Sequence, residues 1–159
     1  MRHRIIIGGA EGRDRACVRL IRKSIAAALK AEKVNVRCEI NVLLTDDEGI
    51  REINRNMRGV DKATDVLSFP MFDFSPGAFS AADGQADPLS RFMPLGDMAL
   101  NMDRVRSQGE EYGHGEKRET AYLTVHSMLH LLGYDHEDEG ENKKLMRSRE
   151  KEIMKTIRI

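Results

Sequence analysis

The 159-residue chain has no tryptophan, two cysteines and four prolines, and aromatic residues make up only 5% of it. Cys17 and Cys38 each sit inside an apolar periodic pattern, without C-x-x-C spacing, which argues against a disulfide framework or a thiolate metal site. Both are read as reduced core residues without a disulfide partner. The basic start MRHR is followed by only three consecutive strong apolar residues, Ile5 to Ile7, so neither a signal peptide's apolar region nor a membrane span is expected there. The expectation is a cytoplasmic protein with no membrane partner. Formal net charge is zero, so overall basicity gives no hint of a nucleic-acid partner. Charge distribution says more: Met1 to Arg37 holds ten Lys or Arg against three acids. That segment either attracts phosphate or forms the solvated faces of a strand and a helix. Hydrophobic residues still make up 40% of the chain and recur periodically, which excludes disorder, and the length suits one domain spanning residues 1–159.

Arg4 to Gly8 reads as a short buried strand. From Asp14 to about Lys33, Cys17, Val18, Ile21, Ile25, Ala28 and Leu29 fall at helical spacing among basic residues. Val36, Cys38, Ile40, Val42 and Leu44 then alternate with mostly polar residues, as in a strand with one face on a core. Thr45 to Glu48 reads as a capping box opening a helix that carries Ile50, Ile53 and Met57. After Gly59 comes an extended run, Asp65 to Phe69. The stretch Met71 to Pro94, rich in Gly, Pro, Ala, Ser and Asp, reads as a mobile loop. Leu95 to Asp103 resumes an extended pattern suited to antiparallel pairing with VLSF. Helices follow near Met102 to Gln108, Glu116 to Leu132 and Gly140 to Ile157, the last with Leu145, Arg149, Ile153 and Ile157 on one stripe. There is no internal repeat. The pattern predicts an α/β (α+β) fold, a mixed sheet packed with helices.

Three of the five histidines lie within HSMLHLLGYDH. His126 and His130, four apart on a helix, project from one face one turn apart, so two ring nitrogens can reach one metal ion. Gly133 suits a left-handed turn that brings His136 back to complete the set. Three imidazoles around a tetrahedral zinc leave one position open, the arrangement of catalytic rather than structural sites. One zinc ion per chain is expected. Asp135, Glu137 and Asp138 either accept hydrogen bonds from the imidazole N–H groups or are solvated acids opening the last helix. His114, in a glycine-flanked segment, reads as a surface residue.

Zinc proteases with the H-E-x-x-H-x-x-G-x-x-H pattern carry a glutamate base after the first histidine, where this chain has Ser127. A serine hydroxyl is too weak an acid to shuttle the proton that a departing amine requires. Phosphodiester cleavage adds charge to oxygens that are already anionic, so a Lewis-acid metal and a fixed cation supply much of the stabilisation. A site of that kind calls for an arginine.

Three separated segments, MRGVDKATDVLSFP from Met57 to Pro70, LGDMAL, and EEYGHGEKRETAYLTVHSMLHLLGYDH, closely resemble the YbeY family of bacterial endoribonucleases, in the family's order. The resemblance runs from about Ile40 to Glu150. It implies a compact metal-hydrolase-like α/β fold, zinc bound by His126, His130 and His136, and a functional arginine at Arg58 that binds or stabilises the scissile phosphate. It also implies a single-strand-specific endoribonuclease acting in maturation of the small-subunit (16S) rRNA 3′ end and in ribosome quality control. Its partners would be RNA, the ribosomal small subunit and its assembly factors. Ser127 replaces the family's usual glycine, and the connection from Met71 to Pro94 is longer than usual. Lys62 and Ser68 either contact substrate or fill ordinary surface and strand roles, and the VLSF segment either carries substrate beside the metal or serves the core. Two other functions remain open: a metalloprotease-like hydrolase with a carboxylate base from elsewhere, such as Glu137, and a non-catalytic ribosome-assembly factor in which zinc holds helix and turn together.

Overall fold

The computed structural model describes residues 1–135 and 140–159. Its elements run β1 (Arg4–Gly8), α1 (Arg15–Ala31), β2 (Cys38–Thr45), α2 (Asp47–Arg58), β3 (Val66–Pro70), β4 (Met93–Asn101), α3 (Met102–Glu111), α4 (Gly115–Leu131) and α5 (Glu141–Lys155). The four strands form one mixed sheet in the order β1-β2-β4-β3. β1 and β4 both pair parallel with β2, and β3 pairs antiparallel with β4, Leu67 opposite Ala99 and Ser68 opposite Met98. The sheet is mixed because the strand-helix units return parallel strands, whereas β4 arrives from the long connection and runs against β3.

Along β2, Cys38, Ile40, Val42 and Leu44 are buried at every second position, and these side chains face one core. α1 supplies Ile21, Ile25, Ala28 and Leu29 to it, with Asp14 Oδ1 capping the helix by accepting from Ala16 N at 2.9 Å. Burial pushes the Cys38 thiol up to about 12, so it behaves as a small apolar group. α4 is buried on nearly every side because it packs against α1, α3, α5 and β3. The hydroxyls of Thr120 and Thr124 are accommodated there by donating back to Glu116 O and Thr120 O. On the opposite sheet face α2 covers a smaller cluster of Ile50, Leu67 and Ala99.

Several sequence expectations need correcting. β1 is an edge strand with alternate positions outward, leaving Ile6 48% exposed, rather than a buried strand. The α2 cap is Asp46, whose Oδ1 accepts from Gly49 N at 2.8 Å, because Thr45 is still needed as the last residue of β2. Residues 71–94 are anchored rather than free. Phe74 is only 5% exposed and packs edge-on with Phe72 and obliquely with Phe79, while Ala81–Asp83 forms a 3-10 turn. On α5 the stripe is displaced only at its start: Leu145 is 40% exposed and Met146 and Glu150 face inward, while Ile153 and Ile157 are buried as expected.

The end of α4 sets up the site. Leu132 is its C-cap and Gly133 follows at φ +99°, with Gly133 N donating to His130 O and Tyr134 N to Leu129 O, the paired bonds of a Schellman turn. A Cβ on Gly133 would lie 2.0 Å from Phe74 O, so glycine is required by backbone angle and by the close approach of the 72–74 segment. Gly133→Ala is expected to lose about 1–3 kcal/mol from the backbone strain alone. The loss would be read as a lower denaturant midpoint with an unchanged slope.

The turn is also tied down behind the site. Tyr134 Oη donates to Glu32, the C-cap of α1, whose other carboxylate oxygen accepts from Arg149 Nε at 2.8 Å. Burial, then the bond to Glu32, push the Tyr134 phenol up, keeping it the donor of this pair.

Candidate metal and phosphate site

The sequence places two histidines on one helical face, and the structure brings them together. The rings of His126 and His130 lie edge to face, centroids 4.7 Å apart, with their Nε2 atoms 3.2 Å apart. Two imidazoles bound to one tetrahedral zinc at ~2.0–2.1 Å would have nitrogens about 3.3 Å apart, so the pair is already spaced for a shared ion. Each ring is also turned the right way. His130 Nδ1 lies 3.0 Å from Tyr134 O and His126 Nδ1 lies 3.3 Å from Glu150 Oε1. A carbonyl and a carboxylate accept hydrogen bonds, so each Nδ1 has an acceptor for a proton, and the two Nε2 atoms are turned toward each other.

Glu150 was not singled out from sequence. It lies on α5, is buried, and meets both His126 and Tyr122. Burial pushes its carboxyl up, but the hydrogen bonds from His126 and Tyr122 outweigh burial and hold the group below the usual glutamate range. His136 lies outside the described residues, as do Glu137 and Asp138. Among the described residues no group of three His, Cys, Asp or Glu side chains is placed to hold a metal ion.

The histidine pair opens into a cleft of about 570 Å³. One wall is β3 with Thr64 and Asp65 before it, and another is the 72–74 segment with Gly133, Tyr134 and Asp135. β3 is an edge strand of the sheet. Arg58, the last residue of α2, reaches the same cleft. Its Nη1 donates to Asn54 Oδ1 at 3.2 Å, and buried Asn54 donates through Nδ2 to Lys62 O at 2.9 Å. Asn54 thus fixes the end of α2 against the following turn and orients the guanidinium, a role with no motif in the sequence. Gly59, in the left-handed region at φ 71°, ends α2 just beyond Arg58.

Charge in the cleft is informative. Among the described lining residues Arg58 is the only Lys or Arg, against the carboxylates of Asp65, Asp73 and Asp135. A phosphodiester would be repelled by that set unless a multivalent cation joined Arg58. None of the ten basic residues of the N-terminal segment lines it. Several serve locally instead: Arg4 pairs with Glu39 at 2.6 Å, and Arg13 and Arg22 donate to Gly9 O and Ile5 O. Lys62 is exposed outside the cleft lining. Ser68 lines it, but its Oγ lies 2.6 Å from Ser127 Oγ, and Ser127 is fully buried. The residue in the protease base position therefore ties α4 to β3 and has no access to a reacting group.

The profile of the endoribonuclease YbeY family matches residues 10–158. The chain belongs to this family. It is 46% identical over 145 residues to the endoribonuclease YbeY of Clostridium botulinum strain Loch Maree, with 87% of each chain covered. It is 44% identical over 138 residues to that of Caldanaerobacter subterraneus subsp. tengcongensis, covering 87% of this chain and 85% of the relative. The solution structure of a Thermotoga maritima protein matches 98% of this chain and 89% of its own with a TM-score of 0.63 at 26% identity. The chain is thus a compact α/β domain with a mixed sheet. No helix among its described residues is long and apolar enough to cross a membrane.

Proposed function

We propose that this chain is a zinc-dependent, single-strand-specific endoribonuclease that acts in maturation of the 16S rRNA 3′ end and in ribosome quality control. The small ribosomal subunit and its assembly factors are its partners. The observation that carries the reading is the preset pair of Nε2 atoms, 3.2 Å apart, in a cleft whose lining includes Arg58. His126 and His130 hold one zinc ion together with His136. When bound, zinc supplies Lewis-acid polarisation of the scissile phosphate. Arg58 binds that phosphate, and its planar fork suits two phosphate oxygens. The edge strand β3 carries the RNA past the site. Glu150 and Tyr134 O keep the two imidazoles in the tautomer and orientation that ligation needs.

Purified protein incubated with single-stranded RNA and with casein, with and without chelator, tests the reading. RNA cleavage is expected, lost on chelation and restored by zinc, with casein intact. Casein cleavage would favour a metalloprotease-like hydrolase, and RNA binding without cleavage an assembly factor. A separate expectation concerns Glu150→Gln, which keeps the shape but removes the charge behind His126. Zinc affinity should fall by about 10–100-fold, read by competition with a chromogenic chelator. Wild-type affinity in that variant would reduce Glu150 to a packing residue.

A further inference from the structure

A second cavity of about 510 Å³ lies beside the cleft and shares Asp65 with it. Its floor is a polar cluster that metal binding and phosphate stabilisation leave unused. Buried Glu119 accepts from Gln108 Nε2 at 3.1 Å, and its second oxygen lies 2.6 Å from His114 Nε2. His114 is thus at the surface, as expected, but it is held by a buried partner. Gln108 Nε2 also reaches Asp65 Oδ2 at 3.4 Å. Both N–H groups of that amide are committed to carboxylates, which leaves its oxygen as the end open to a donor. Among the described residues, neither Gln108 Oε1 nor Asp65 Oδ1 accepts a hydrogen bond. The residues lining the cavity therefore include two acceptors with no donor among the described residues.

Its walls are flat and aromatic. Tyr112 is 60% exposed, with its ring 5.7 Å from that of His114, and Tyr122 closes the side toward the metal ligands, 6.1 Å from the His126 ring. Arg118 stands exposed at the rim. Aromatic faces, a guanidinium and a hydrogen-bonding edge are what a protein uses to hold an unstacked base of single-stranded RNA.

We propose that this cavity is a base-binding subsite that takes an unpaired guanine of the RNA entering the cleavage cleft. The proposal rests on the endoribonuclease reading and adds a base preference to it. Guanine is the one common base with two adjacent donors, N1–H and N2–H, on its pairing edge, and these match Asp65 Oδ1 and Gln108 Oε1. Adenine and cytosine set a ring-nitrogen acceptor beside their amino group, and uracil flanks its single N–H with two carbonyl oxygens. Each would turn an acceptor toward an acceptor. The ring stacks on Tyr112, and Arg118 meets the backbone phosphate.

Two measurements test this on the zinc-loaded protein. In the first, the ends produced from random-sequence single-stranded RNA are sequenced. Guanine is expected at one fixed position relative to the cut, and Tyr112→Ala and Gln108→Leu should lose that preference among whatever cuts remain. In the second, guanosine, inosine and cytidine 5′-monophosphates are titrated while the tyrosine ring signals are followed by NMR. The guanine nucleotide should shift Tyr112 and Tyr122 and bind about tenfold or more tightly than inosine, which lacks N2–H, or cytidine. Tyr112 is exposed, so its Ala variant keeps the fold and the comparison remains available. Cleavage with no guanine preference at any position overturns the subsite while leaving the nuclease reading intact, as does binding no tighter than cytidine's. If no RNA is cut, the nuclease reading fails, and the nucleotide titration alone decides the cavity: guanine-selective shifts keep it and their absence overturns it.

Discussion

Replacing His130 by Ala is expected to abolish stoichiometric zinc and to lower RNA cleavage by about a thousandfold, while the protein still melts cooperatively. His130 Nε2 is one of two nitrogens already at metal-sharing distance, and its ring is held in place by Tyr134 O. Zinc sites in peptides bind with ~10–16 kcal/mol spread over their ligands, so loss of one ligand removes several kcal/mol of affinity. The fold should survive because the α4 core is made by Leu123, Val125, Met128, Leu129 and Leu131, all buried, whereas His130 is only half-buried. Zinc content by mass spectrometry and a thermal melt check both halves. Loss of the cooperative melt would make the ion a structural clamp and favour the assembly-factor reading.

Much of this arrangement is legible in the chain because it is local. The i, i+4 spacing of His126 and His130 and the glycine three residues later dictate a helical face and a left-handed turn, and the structure has both. The alternation in β2 and the antiparallel partnership of VLSF with LGDMAL follow from period-two patterning in the same way. What stayed hidden depends on contacts between distant segments. Glu150 reads as one acid among many on a charged helix. Only the rotation of α5, which buries Met146 instead of Leu145, brings it to His126. His114 and Glu119 look like solvated residues until Gln108 from α3 is set between Glu119 and Asp65. Loop composition likewise predicts mobility for residues 71–94, but Phe72, Phe74 and Phe79 in that stretch supply enough apolar surface to anchor it.

Arg58 is where sequence, resemblance and geometry bear on one side chain, and its replacement separates phosphate chemistry from zinc binding. Arg58→Ala should leave zinc content and melting temperature near those of the wild type, because the residue is exposed and its one described hydrogen bond is to Asn54, which keeps its own bond to Lys62 O. Cleavage of single-stranded RNA should nevertheless fall by about a hundredfold or more, the effect of deleting a preorganised donor to transition-state charge. The cleft magnifies the loss: without Arg58 its described lining has no Lys or Arg to set against three aspartates, so bound zinc alone must hold the phosphate. Arg58→Lys restores the charge but not the planar fork, and it cannot reproduce the hydrogen bond to Asn54 with the same reach. It should therefore recover only part of the rate. Single-turnover cleavage of a short labelled RNA, compared at equal zinc occupancy, makes the distinction. A wild-type rate for Arg58→Ala would remove the guanidinium from the reaction and leave phosphate stabilisation to the metal alone.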